Sequence, residues 1–375
     1  MTGPLDGVRV LDFSRVLAGP FATMHLADLG AEVVKVERPE TGDDTRSFGP
    51  PFSAGVSTYF LSINRGKRSI TIDLKTEAGR ETAMRLAEKA DVVIENFRPG
   101  VMDRLGLGPD VLRAHNPELI YCSISGFGRD VERAGYDLVI QGMGGIPSIT
   151  GDPEGEPAKC GASIADLVTG LYAVQGILAA LHRKNTTGEG ALVDVPMIDG
   201  QVALLTYHAS GLLNAGKAPD RLGNHHPSIH PYGTYRVDDG HLNIAVGNDR
   251  LFVAFAKAIG RPQLSDDPKF QANASRVTHR DELDGFIETA LVGRTVTEWC
   301  DVLLDAGVPA GPINSVAEAV KQVDLVSHAH PSGEGEVLTA PLPYRIDGAP
   351  RAADLPPPCL GAHNDEVLNA WLGDD

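Results

Sequence analysis

Along this chain, compact apolar runs alternate with segments whose apolar residues recur at helical spacing. Val8 to Phe13 (VRVLDF) predicts a strand, and Gly19-Pro20 then opens a helical pattern through Phe21, Met24, Leu26 and Leu29 that stops at Gly30. Glu32 to Glu37 (EVVKVE) is the next strand, so the chain opens with a β-α-β unit, whose crossover demands a parallel sheet. The alternation continues through SITID at 69–73, a helix over 76–90, DVVIE at 91–95, helical spacing over 101–115 and LIYCSIS at 119–125. This order predicts a Rossmann-like, doubly wound α/β domain, with ligands outside the carboxyl ends of its strands.

Past Ser163, the residues Leu167, Leu171, Val174, Leu178 and Leu181 predict an amphipathic helix, followed by a strand at 191–197 and a helix over 199–214. Residues 216–233 (GKAPDRLGNHHPSIHPYG) are rich in Gly, Pro and His and read as a linker or active-site loop. Two strand patterns, GTYRV and HLNIAV, and helices near 249–259, 276–291 and 295–306 predict a small α+β domain. A strand pattern over 335–346 and a short helix at 364–372 complete the chain. The expected organisation is a large domain over 1–200 completed by 325–375, a linker at 201–225, the small domain at 226–306 and a return linker at 307–324.

Asp166 falls in the first turn of its helix. Free amides and the helix dipole favour an anion there, so the carboxylate is expected to stay ionised and able to act as a nucleophile. Ser163-Ile-Ala-Asp166 also matches a helix-start pattern in which both side chains only satisfy orphan amides. The local sequence leaves both readings open.

Composition narrows the choice. With 33 Lys and Arg against 50 Asp and Glu, the net charge of −17 repels nucleic acid and anionic lipid at long range. A polyanionic ligand therefore needs a local basic pocket, and Arg38, Arg46, Lys67, Arg68, Arg98 and Arg104 cluster near the predicted crevice. No run reaches the ~18 apolar residues of a membrane span, and the N-terminus lacks a signal-peptide pattern, so a cytoplasmic location is expected. Cys122, Cys160, Cys300 and Cys359 are scattered, which argues against a disulfide framework or a zinc site. Asn224, His225, His226 and His230 lie close together, but without an H-E-x-x-H or cysteine partner they read as a hydrogen-bonding loop, and no metal is expected. Dinucleotide binding is disfavoured because only Gly19 stands where G-x-G-x-x-G is needed; no G-x-S-x-G elbow is present.

Several stretches as a set resemble the family III (CaiB/BaiF) CoA-transferases: PLDGVRVLDFSRVLAGPFATMHLADLGAEVVKVERP, DVVIENFRPGVMDRLGLG, YCSISGFG, AGYD, GASIADLVTGLYAVQGILAAL and GVPAGPINSV. The resemblance covers nearly the whole chain. RVLAGPFATM, GDDTR, GPPF and STYFLS are most similar to the dicarboxylate branch typified by succinate–hydroxymethylglutarate CoA-transferase.

The resemblance implies a large Rossmann-like domain, a small domain and an interlocked homodimer. It implies no permanently bound cofactor: coenzyme A and its thioesters are substrates, exchanged with a small carboxylic acid. The family's nucleophilic aspartate falls on Asp166 in DLVTG. Similarity to the formyl-CoA-transferring members places CoA contacts at Leu17, Ala18, Arg38, Ile72, Asp73, Leu74, Lys75, Asn96, Phe97, Arg98, Arg104, Arg133, Ala134, Gly135 and Tyr136. Arg15 and Arg46 are candidates for the second carboxylate of a dicarboxylate, against structural pairing with Asp12 or Asp43. Position 17 is Leu where oxalate-specific members carry Gln, the segment between Gly128 and Ala134 is short, and no glycine-rich flap is evident over 223–232. Two alternatives share the fold: an α-methylacyl-CoA racemase and a non-catalytic CoA-binding relative. Racemases carry AGHD; AGYD puts a phenol, with an ordinary pKa of ~10, where a base is needed.

Overall fold

The computed structural model describes residues 3–347, 349–350 and 352–373. Met1 and Thr2, from the segment read as leading into the first strand, and Gly348, Arg351, Asp374 and Asp375, from the segment read as completing the large domain, lie outside the described residues. The chain divides into two compact units. The first comprises 1–146, 159–218 and 324–375, and the second 147–158 and 219–323.

The first unit is built on six parallel strands: β1 Arg9–Asp12, β2 Glu32–Glu37, β3 Lys67–Thr71, β4 Val92–Glu95, β5 Ile120–Ser125 and β6 Ala191–Pro196. Their order across the sheet is β3-β2-β1-β4-β5-β6, so the winding reverses between β1 and β4. Loops leaving β1 and β4 run in opposite directions there and open a crevice at their carboxyl ends. Side chains alternate across the sheet: Val10, Val33 and Val92 enter one core, and Leu11, Val34 and Val93 the other. The first core is covered by the helices Ala18–Asp28 and Ile164–Thr187, the second by Glu77–Glu88 and Asn364–Leu372. Strands buried on both faces are apolar along their length, as Val92 to Ile94 of β4 are.

Helix Ile164–Thr187 is longer and more apolar than the run-by-run reading expected. Its best window has a mean hydropathy of 1.7, enough by length and composition alone to cross a membrane. The reading missed it because Gly170, Gln175 and Gly176 interrupt the run of large apolar residues. Ala173, Ile177 and Ala180 are buried in the sheet's core, and the helix packs along Ala18–Asp28. Two expected helices are each divided. Residues 101–115 form Val101–Arg104 and Pro109–His115, broken around Gly106 and Gly108, and 199–214 forms Met197–Leu204 and Thr206–Ala215.

In the second unit, strands Tyr232–Val237, Gly240–Ala245 and Ala310–Pro312 form an antiparallel sheet with Gly240–Ala245 in the centre. Ala310–Pro312 lies in the stretch read as a return linker; its backbone completes the sheet's edge. Helices Asp249–Ala258, Arg280–Leu291 and Val296–Asp305 cover a core of Leu242, Ile244, Phe252, Phe255, Ile287 and Trp299.

Candidate active site

Asp166 stands in the first turn of its helix, yet the expected local cap does not form, because Ser163 makes no side-chain hydrogen bond there. The amide of Ala165 instead donates to Asp137 Oδ1 at 3.0 Å, and Gln141 Nε2 donates to Asp137 Oδ2 at 2.8 Å. Asp137 thus satisfies the helix start from outside, which frees Asp166. Among the described residues, nothing donates a hydrogen bond to the Asp166 carboxyl, and it opens into a cavity of about 170 Å³.

That carboxyl does not behave as the helix dipole predicts. Burial, and then the neighbouring charge of Asp137, push its pKa from 3.8 up to about 7. Dipole stabilisation is worth only about 0.3–1 kcal/mol, too little to offset desolvation of a carboxylate. Burial and Asp137 therefore hold Asp166 near the balance between acid and carboxylate at neutral pH. Tyr59 lies within the same field: burial first, then Asp166 and Asp137, raise its phenol to about 12.

The cavity sits at the reversal of the sheet. Its walls come from the loop after β1 (Arg15, Val16, Ala18), the loop after β4 (Asn96, Phe97, Arg98, Pro99), the end of β5 and the 133–136 segment. Arg15, Arg98 and Arg133 contribute three cations to its lining, and Arg133 also stacks over Phe127 at 4.4 Å.

A buried network fixes the loop after β1. Asp12 accepts from Ser14 N and Thr23 Oγ1, and Lys35 donates to Ser14 O at 2.8 Å while pairing with Asp43 at 2.8 Å. The Asn96 amide grips the backbone of Arg15 at both ends, accepting from its N–H at 2.8 Å and donating to its carbonyl at 2.7 Å. Val16 between these clamps adopts φ +68°, a left-handed conformation that is strained for a β-branched residue, with its amide directed to Asp43 Oδ1. Charge is nearly balanced within this core. Lys35 holds Asp43 down at about 2 against its burial, and burial lowers Lys67 to about 7.

A second cavity of about 240 Å³ shares the Arg15 and Phe97 wall. Arg38 and Ile72 to Lys75 line it, with Val101 and Leu105. The expected contact residues thus divide between two adjoining cavities. Ala18, Asn96, Arg98 and Arg133 to Tyr136 face the first, Arg38 and Ile72 to Lys75 the second, and Phe97 both.

Three positions line neither. Leu17 is buried ahead of the first helix, Arg104 is exposed between Val101 and Leu105, and Arg46 is spent on Glu37. The Arg46 guanidinium makes a two-point pair with Glu37 at 2.8 and 2.6 Å and stacks on Phe60 at 3.8 Å. That geometry favours the structural reading of Arg46, with a partner other than Asp12 or Asp43. Arg15 pairs with Asp44 at 3.3 Å, and Asp44 also bonds Arg38, so this exposed carboxylate bridges cations of both cavities.

Sequence reasoning missed Tyr59, Val16, Asp44 and Asp137. AGYD pointed at Asp137 only by adjacency, and nothing in the pattern marks a left-handed valine.

A switch-point crevice whose lining holds both an unbonded carboxylate and arginines suits acyl chemistry on a polyanionic handle, and the comparisons agree. The model of CoA-transferase family III matches residues 5–364. The chain belongs to this family. A succinate–glutarate CoA-transferase of Agrobacterium fabrum is 41% identical over 384 residues, covering 97% of this chain and 95% of that protein. An acetyl-CoA:oxalate CoA-transferase of Acetobacter aceti is 43% identical over 350 residues, covering 92% and 90%. A crystal structure of a CaiB/BaiF family protein from Brucella suis superposes with a TM-score of 0.86 at 43% identity, over 99% of this chain and all of that one. As a family III CoA-transferase, the chain has CoA thioesters as substrates.

Proposed function

We propose that this enzyme moves CoA from an acyl-CoA such as succinyl-CoA to a dicarboxylic acid of the glutarate class, with Asp166 as nucleophile. The observation that carries the reading is the Asp166 carboxyl, free of hydrogen bonds and open to a cavity that three arginines share. Its oxygen attacks the thioester carbonyl, forming an acyl-aspartyl anhydride and releasing CoA thiolate. The thiolate attacks the aspartyl carbonyl, giving an aspartyl-CoA thioester and the donor's free carboxylate. The acceptor carboxylate attacks that thioester and expels the thiolate, which then takes the new acyl group and restores the Asp166 carboxylate.

In this reading the second cavity takes the nucleotide end of CoA. Ile72, Leu74 and Phe97 offer apolar surface, and Arg38 and Lys75 offer charge for its phosphates, with Arg104 exposed close by in the chain. The first cavity takes the thioester, and Arg15, which lines both cavities, is the cation we assign to the acceptor's distal carboxylate. The substrates for which the relatives are named support dicarboxylates as the class.

We also infer a homodimer with interlocked chains and a cytoplasmic location. Exposed Leu138, Leu171, Tyr172, Leu212 and Leu213 in the first unit support burial against a second copy.

The test follows CoA exchange across a panel of acyl-CoA donors and acids. Succinyl-CoA with glutarate should turn over faster than succinyl-CoA with oxalate or a monocarboxylate. Proton exchange at the α-carbon without acyl transfer would instead indicate a racemase.

A further inference from the structure

The second unit holds a cluster of ligand-type side chains that CoA transfer does not use. His225 and His230 come from the loop before strand Tyr232–Val237, and Asp284 from helix Arg280–Leu291. Their ligand atoms all lie within 4.8 Å of one another. His230 Nε2 is 3.3 Å from Asp284 Oδ1, and His225 Nε2 is 4.0 Å from Asp284 Oδ2. Tetrahedral zinc with bonds of 2.0–2.1 Å sets neighbouring ligand atoms about 3.3 Å apart. Three ligands define three such edges: the one between His230 and Asp284 is already in place, and the two that involve His225, none longer than 4.8 Å, need it to move inward by up to about 1.5 Å.

The hydrogen-bonding record points the same way. His230 is fully buried, and neither of its ring nitrogens has an aligned hydrogen-bond partner; His225 Nδ1 is likewise buried and unpartnered. Leaving such groups unsatisfied costs about 1–3 kcal/mol each, a cost that coordination of a ring nitrogen would offset.

The surroundings hold the donors in place. Tyr235 donates its hydroxyl to Asp284 Oδ1 at 2.9 Å, the kind of outer contact that orients a ligating carboxylate. The loop backbone is pinned to the helices: His230 N donates to Asn273, Arg276 donates to His230 O at 2.7 Å and Arg280 to His226 O at 2.8 Å. A Cβ at Gly233 would sit 2.7 Å from His225 Nδ1, so glycine leaves that ring its place. The Arg280 charge stands near His225, and Asp284 and Asp281 oppose it.

We propose that His225, His230 and Asp284 bind one divalent cation of the zinc type, with water as fourth ligand, as a staple between the loop and helix Arg280–Leu291. Two imidazoles and one carboxylate suit zinc and its first-row neighbours better than magnesium or calcium. The loop alone does not suggest this, because its histidines lack a third donor until the fold brings Asp284 beneath them.

The test uses the untagged full chain, stripped with EDTA and titrated with Co²⁺. The d–d absorption of tetrahedral cobalt should saturate at one ion per chain and be displaced by one equivalent of Zn²⁺. His225→Ala, at a half-buried position, should weaken binding at least tenfold, and Tyr235→Phe should weaken it about 10–100-fold. His226→Ala should leave it unchanged. The absence of saturable one-to-one binding, or binding undiminished in a His225→Ala protein with native circular dichroism, overturns the proposal. None of these residues belongs to the transfer site, so that outcome would leave the transferase reading intact.

Discussion

Replacing Asp166 with Asn should stabilise the protein, and only where the wild-type carboxyl ionises. The folded chain holds the Asp166 proton to about pH 7, whereas the ordinary value of an aspartate in an unfolded chain is 3.8. Between those values the folded state binds more protons than the unfolded one, so this group's contribution to stability falls as pH rises. Below 3.8 both states carry the proton and there is no penalty; above about 7 both are ionised and the penalty is complete. At 1.36 kcal/mol per pKa unit, the gap corresponds to at most about 4 kcal/mol. Asn is neutral throughout and removes the repulsion with Asp137. Urea unfolding of both proteins across pH 3.5 to 8.5 measures the difference directly. It should be close to zero at the acid end, grow across the interval and level off above pH 7. A difference that does not change with pH would refute the claim that burial and Asp137 raise this carboxyl.

The remaining predictions separate chemistry from scaffold. Asp166→Ala should abolish CoA exchange while leaving CoA affinity, measured by calorimetry, largely intact. In the wild type, kcat/KM should rise with pH through about 7 and then plateau, because the attacking form is the carboxylate. Arg38→Ala should raise KM for acyl-CoA about 10–100-fold, the value of a charge-assisted hydrogen bond to phosphate, with little change in unfolding midpoint. Arg46→Ala should do the reverse, costing about 3 kcal/mol in denaturant unfolding by removing the two-point cation from Glu37, which is 4% exposed and keeps only its bonds from Asp43 N and Ser69. Ile177→Ala, at a fully buried position under the sheet, should cost about 2–5 kcal/mol.

The large unit was legible in the sequence because its physics is local and repetitive. Apolar runs such as VRVL and VVIE read as buried strands, and each is followed by a segment of helical period. Strand order was not legible, and the order is what brings Arg15 and Arg98 together at the reversal between β1 and β4. Asp166 could be singled out by position, but its protonation could not. The deciding terms, burial and the charge of Asp137, come from a segment that contacts it only in the fold. Short cues failed where tertiary contacts overrode them. Ser163 looks like a cap and is none, and Ala310–Pro312 looks like linker and pairs as a strand. Val16 is the extreme case, since its left-handed backbone is held by Asp43 and the clamped neighbour Arg15 and contradicts its own preference.

Trapping tests most directly whether Asp166 forms a bond to the cargo. Protein incubated with succinyl-CoA is quenched with hydroxylamine, digested and analysed by peptide mass spectrometry. A hydroxamate on the peptide containing Asp166, dependent on acyl-CoA and missing in Asp166→Asn, is the predicted result. Continued CoA exchange with that peptide unmodified, or a hydroxamate on another carboxylate, would contradict it.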